Sequence, residues 1–234
     1  MTNSTTNVIK AMTIESCTTD ACTIETCLEK LRVRLANGQR FILGIVGQPG
    51  SGKSTFAQAL VAGLHGRAIV VPMDGFHLAN KELVRLNRQS RKGAEDTFDS
   101  AGYAALLNRL RHQAQDEVIY APEFRREIEE PIASAIAISA DIQLVITEGN
   151  YLLLDRGHWS KVPGLLDETW YLAIETDLRQ QRLIARHMQF GRDKQAAQEW
   201  VQRTDEPNAV LIESTQGRAD RVFNWVAGES GISR

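Results

Sequence analysis

Apolar residues in this chain follow two alternating patterns, short unbroken runs and longer stretches in which they recur every three or four positions. Leu28, Leu31, Val33 and Leu35 predict a short helix closed by the Asn37-Gly38 turn. Phe41 to Val46 (FILGIV) is the first unbroken run, flanked by that turn and a Gly-rich segment, as for a strand buried on both faces. Ser54 to Leu64 predicts a helix with Phe56, Leu60, Val61 and Leu64 at helical spacing. Ala68 to Met73 (AIVVPM) predicts a second strand, whose Pro72 puts its end at Asp74. Asp99 to Gln113 has a helical stripe of Tyr103, Leu106, Leu107 and Leu110, and Val118 to Ala121 predicts a short strand that stops before Pro122. Asp141 to Thr147 and Glu168 to Ile174 are further strands, followed by helical patterns over Asp177 to Phe190 and from Lys194 to near Val201. Arg221 to Val226 fits an edge strand or a final helix. Strands alternating with helices predict an α/β domain with a mainly parallel sheet covered on both faces.

The chain has 234 residues, 43% of them hydrophobic, enough for one sizeable core. Its 27 basic and 29 acidic side chains give a formal charge of -2, which argues against nucleic acid or an anionic membrane as a partner held by global charge. No apolar segment is long enough for a membrane span and the N-terminus lacks a secretory pattern, so a cytosolic protein is expected. Cys17, Cys22 and Cys27 end three consecutive pentapeptides that each begin with Thr, and the rest of the chain has no thiol. A disulfide framework is therefore excluded, and C-x4-C-x4-C with no nearby His matches no common zinc spacing. Residues 1–27 are expected to form a polar, mobile tail, with Met12 as an alternative start, and residues 28–234 the folded domain.

Between the first predicted strand and helix lies Gly47-Gln48-Pro49-Gly50-Ser51-Gly52-Lys53-Ser54, which fits G-x-x-x-x-G-K-[ST] at every position. Glycines let successive N–H groups turn toward phosphate oxygens, and the helix start adds partial positive charge. Lys53 is placed to reach the β- and γ-phosphates and Ser54 to offer its hydroxyl to Mg²⁺, with Thr55 behind it. Asp74 ends the second strand, where open α/β sheets gather ligands, and a carboxylate there takes a proton from an attacking hydroxyl or binds metal through water. Glu148 ends another apolar strand and is the candidate Mg²⁺-side carboxylate. Arg179, Arg182 and Arg186 share one helix face, with Arg192 just beyond Gly191, and are suited to neutralise a transferring phosphoryl group. His77 is a candidate acceptor contact. His65, His112, His158 and His187 are read as structural or surface, and Trp159, Trp170, Trp200 and Trp225 as packing residues.

Together these residues resemble the phosphoribulokinase/uridine kinase family of P-loop kinases, from about Phe41 onward. The resemblance rests on the phosphate loop, PMDGFH at 72–77, KGAEDTFD at 92–99, VITEGNYLLL at 145–154 and RTDEPN at 203–208. It implies a P-loop NTPase-type, mainly parallel sheet with helices on both faces and a helical lid, a P-loop kinase domain over 28–234, and an ATP- and Mg²⁺-dependent transfer to a small-molecule hydroxyl. It carries the catalytic base to Asp74, the metal-side acid to Glu148 and the lid arginines to Arg182, Arg186 and Arg192. Lys92 to Asp99 and Pro122 to Pro131 then face the acceptor, with Asn150 and Tyr151 beside them. Where uridine kinases show a Tyr-Asp pair and a later His, this chain has Phe124-Arg125-Arg126 and Glu129, which favours an acceptor with an anionic group. Nucleosides, pantothenate-like acids, sugars and sugar acids all remain as acceptor classes, ATP or GTP as donor, and monomer or homodimer as assembly. The rival readings are an ATP-dependent switch or assembly factor, which needs no carboxylate at Asp74, and a binding module for phosphorylated metabolites.

Overall fold

The structure, a computed structural model, describes residues 23–224. Five strands form one parallel sheet in the order β2-β5-β1-β6-β7, comprising β1 (Phe41–Val46), β2 (Ala68–Pro72), β5 (Leu144–Gly149), β6 (Glu168–Ala173) and β7 (Arg221–Asn224). The final apolar alternation is thus an edge strand, paired parallel with β6.

The two-residue period of these strands divides the core between the faces of the sheet. Leu43 and Ile45 of β1, Leu144 and Ile146 of β5, and Trp170 and Leu172 of β6 pack with α1 (Ile24–Arg34) and α2 (Lys53–Gly63), through Leu28, Leu31, Phe56 and Leu60. Ile42, Val46, Val145 and Tyr171 point the other way, into a cluster with Tyr103 and Leu107 of α4 (Ser100–Arg111). No helix among the described residues is long and apolar enough to cross a membrane.

The last pentapeptide belongs to the fold, where a tail had been expected. Thr23 caps α1 by accepting a hydrogen bond from the Thr26 N–H, and Cys27 is fully buried against α2 and the sheet. The first two pentapeptides and Trp225 lie outside the described residues.

Beside the sheet stands an antiparallel ribbon of β3 (Val118–Arg125) and β4 (Glu130–Ser139). The periodicity predicts that β3 ends before Pro122, but the strand runs through it, because the register shifts between Ala121 and Glu123 and the bulge spares the proline a ladder hydrogen bond. Strand β4 escapes prediction: its IASAIA segment is weakly patterned and mostly exposed. The ribbon packs closely on the turn after β2, where a Cβ on Gly75 would sit 2.3 Å from the Pro122 carbonyl oxygen. Four further helices are α3 (Asn80–Arg85), the lid pair α5 (Thr176–Gln189) and α6 (Lys194–Trp200), and, after a π-turn over Val201–Asp205, α7 (Glu206–Glu213).

Candidate active site

The loop from Gly47 to Ser54 joins β1 to α2 at the carboxyl end of the sheet. Gly50 and Gly52 take left-handed φ values of 83° and 90°, and the Phe56 N–H donates to the Gly52 carbonyl at 2.9 Å, so α2 starts directly from the loop. Lys53 is buried, and its ammonium donates to the carbonyls of Gly47 (2.9 Å) and Gln48 (3.0 Å). Burial lowers its pKa to about 8, against the opposing pull of Glu148 and Asp74. Thr55 is exposed on the first turn of α2 and takes no part in the cleft wall.

Two helices hold this loop from behind. A Cβ on Gly50 would lie 3.0 Å from the Arg179 carbonyl oxygen and the Leu183 side chain of α5, and Gln48 donates to the Ala209 carbonyl of α7 at 3.2 Å. Arg179 is 1% exposed and donates through one nitrogen, Nη2, to both Glu206 oxygens at 2.6 and 2.8 Å, joining α5 to α7. The helix-face pattern groups Arg179 with Arg182 and Arg186 as cations suited to a transferring phosphoryl group, yet it is a buried strut. Arg179→Met removes this charged hydrogen bond but also two buried nitrogens that have no partner among the described residues, and leaves Glu206 within reach of water, so it is expected to cost about 2 kcal/mol. Urea unfolding measures that loss, and titration with a fluorescent ATP analogue is expected to show weaker binding.

Asp74 and Glu148 are brought together by the parallel pairing of β2 with β5, in which Pro72 lies opposite Glu148. Their spacing is reinforced by Tyr103, whose hydroxyl donates to Thr147 Oγ1 at 2.6 Å, while Thr147 donates to the Val71 carbonyl at 2.7 Å. Glu148 is buried and accepts the Ser54 hydroxyl at 2.8 Å. Burial pushes its pKa up, and the charge of Asp74 adds to the rise. For Asp74 burial pushes upward too, but the electrostatic pull of His77, Arg126, Lys53 and Arg186 outweighs this and leaves its pKa below the ordinary carboxylate value.

Both acceptor-side segments line one cleft of about 720 Å³ with the phosphate loop and the two carboxylates. His77 donates through Nδ1 to the Asp74 carbonyl at 2.8 Å, and its ring lies between Phe98 and Phe124, with centroids at 4.0 and 4.6 Å. Lys92 donates to Asn80 Oδ1 at 2.8 Å and pairs with the Glu129 carboxylate at 3.7 Å. Arg126 reaches Asp74 Oδ2 at 3.3 Å. Its neighbour Arg125, read with it as an acceptor contact, pairs instead with Glu123 at 2.7 Å outside the cleft, because it follows the cleft-lining Phe124 on β3 and adjacent strand residues point opposite ways. Asn150 lines the cleft. Tyr151 does not; it is fully buried against Phe98 and Trp159, and its hydroxyl holds the Gly93 carbonyl at 2.6 Å.

On the lid, Arg186 lines the cleft and acts electrostatically on both Lys53 and Asp74, whereas Arg182 is outside the cleft wall. Arg192 stacks on Trp200 at 4.0 Å, and both line the cleft. His187, read as structural or surface, pairs with Asp205 at 2.8 Å and also faces the cleft, as do Phe190 and Asn208. These side chains meet only across α5, α6 and the π-turn, so spacing along the chain holds no sign of them; the RTDEPN segment was the one available pointer.

A strand–loop–helix phosphate cradle on a parallel sheet, with paired carboxylates and a basic lid, defines a P-loop nucleotide-binding protein of the kinase type. Residues 42–230 match the Phosphoribulokinase / Uridine kinase family, and the chain belongs to it. A Schizosaccharomyces pombe protein named “Putative uridine kinase C227.14” is 34% identical over 81% of this chain and 85% of its own length. The uncharacterised protein YggC of Escherichia coli is 32% identical over 76% of each. Among solved structures, a “putative fructose transport system kinase” from Silicibacter sp. TM1040 superposes with a TM-score of 0.79 at 35% identity, covering 87% of this chain and all (100%) of the other.

Proposed function

We propose that this protein is an ATP-dependent kinase that transfers the γ-phosphoryl group to a hydroxyl of a small molecule. The observation that supports this most directly is the convergence of Asp74, Lys53 and Glu148 on one cleft that continues into an acceptor half walled by Phe98, Phe124 and Arg126. The hydroxyl of Ser54 and the carboxylate of Glu148 are hard oxygen donors already in contact, a set that suits Mg²⁺. When bound there, Mg²⁺ supplies neutralising charge to the terminal phosphate oxygens.

The chain's own groups perform the rest. Asp74, ionised at neutral pH, accepts the proton of the acceptor hydroxyl as that oxygen forms its bond to the γ-phosphorus. The bond from the γ-phosphorus to the β–γ bridging oxygen breaks, and the electron pair leaves with ADP. Lys53 and Arg186 offset the charge that grows on the leaving group and the transferring phosphoryl. Arg192 and Trp200 close the mouth and limit the entry of water.

The test is ADP release from Mg-ATP over a panel of nucleosides, pantothenate, sugars and sugar acids, with product mass read for each. A compound that stimulates release and gains one phosphate establishes the activity. Tight ATP binding with no stimulation by any compound, and a protein captured only in the ATP-bound state, would favour the switch reading instead.

A further inference from the structure

We propose that the acceptor carries an anionic group beside its reacting hydroxyl, and that Arg126 recognises this group by exchanging for it the contact it makes with Asp74. The inference rests on the kinase reading above and deepens it.

Arg91 and Arg85 show the full fork: Arg91 grips both oxygens of Asp96 at 2.7 and 2.6 Å, and Arg85 grips both oxygens of Glu82 at 2.9 and 2.5 Å. Arg126 is different: one nitrogen meets one Asp74 oxygen at 3.3 Å, and no other hydrogen bond is made by this side chain among the described residues. It stands at the turn of the β3–β4 ribbon, 39% exposed, with its guanidinium 5.9 Å from the Phe124 ring centroid. Most of its five donors therefore remain for a ligand. Lys92, the other cation of the acceptor half, is already committed to Asn80 and Glu129.

A planar carboxylate or phosphate accepts two parallel N–H bonds from such a fork, a better match than the end-on contact with Asp74. The exchange also changes the base. Arg126 is one of the groups that hold Asp74 below its ordinary pKa, so its departure makes Asp74 a stronger proton acceptor once the acceptor has arrived. Water brings no such anion, and meets the weaker base. Recognition of charge and activation of the base thus become one event, and wasted hydrolysis of ATP is restrained.

The experiment uses the full-length protein with Mg-ATP and two readouts. In acceptor-free hydrolysis, Arg126→Gln is expected to run about tenfold faster than the native protein, and the double variant Asp74→Asn/Arg126→Gln to lose that gain. In transfer, matched pairs are compared, glycerate with glycerol and gluconate with glucose. The native protein is expected to favour the acids by about tenfold or more, Arg126→Gln to lose the preference, and Arg125→Gln to retain it. The hydrolysis arm decides by itself: a rate for Arg126→Gln equal to the native rate overturns the proposal, whatever the panel shows. Preference for the neutral partner, or an acid preference unchanged in Arg126→Gln, also overturns it while leaving the kinase reading intact. Failure of the native protein to bind Mg-ATP removes both.

Discussion

Asp74→Asn is expected to lower phosphoryl transfer by about 10²- to 10⁴-fold, the range that a positioned general base contributes. Asparagine has nearly the same shape and keeps the turn against Pro122, so the fold around Gly75 is undisturbed. What it lacks is the capacity to take a proton. Nucleotide affinity is expected to stay within about twofold, because the phosphate loop and Lys53 are held by Gly47, Gln48 and the struts from α5 and α7 and not by Asp74. Steady-state transfer rates, with the phosphorylated product read by mass, and a fluorescent-nucleotide titration separate the two effects. Turnover near the native rate would remove Asp74 from the role of base.

Lys53 offers a second large effect, with a pH signature. Lys53→Ala is expected to reduce transfer by about 10²- to 10³-fold, as for other removed groups that stabilise charge in the transition state. Burial disfavours the ammonium form of Lys53 and brings its pKa down to about 8. A polyphosphate placed against it favours that form, so its pKa rises on binding. Native protein should therefore take up a proton when ATP binds above pH 8, and affinity should fall as pH climbs from there. Calorimetric titrations in buffers of different ionisation heat measure the uptake, and Lys53→Ala should abolish it. The same shift has a consequence for stability. Between pH 8 and the ordinary lysine value of 10.5 the unfolded chain binds more protons than the folded one, so Lys53 makes the protein more stable as pH rises through that window. An uptake unchanged in Lys53→Ala would assign the proton to another group.

Strands β1, β2, β5 and β6 were legible along the chain, because a parallel strand covered on both faces must be apolar at nearly every position and few other structures demand that. The phosphate loop was legible for a related reason: its function is carried by backbone N–H groups and one lysine, which fit into eight consecutive residues. The β3–β4 ribbon was half missed. Its outer positions are Ala, Ser and Ile in nearly equal standing with water, so alternation along β4 carries almost no contrast. Helix α7 was hidden by a start at Glu206-Pro207, with the proline in the first turn, where its missing N–H costs nothing.

The site divides along the same line. Local sequence dictated which residues could do chemistry, the loop with Lys53 and Ser54 and the strand-ending acids Asp74 and Glu148, since each depends on its immediate neighbours along the backbone. Tertiary structure decided which of the remaining candidates take part. Arg186 enters the cleft while Arg182 stays outside and Arg179 becomes a buried strut, although all three share one helix face. Tyr151 closes into the core, His187 finds Asp205 across the lid, and Arg126 rather than Arg125 reaches Asp74. Each of those outcomes depends on contacts between residues 18 to 58 positions apart. No spacing within one segment encodes them, because packing sets the direction of a side chain only after separate elements have docked.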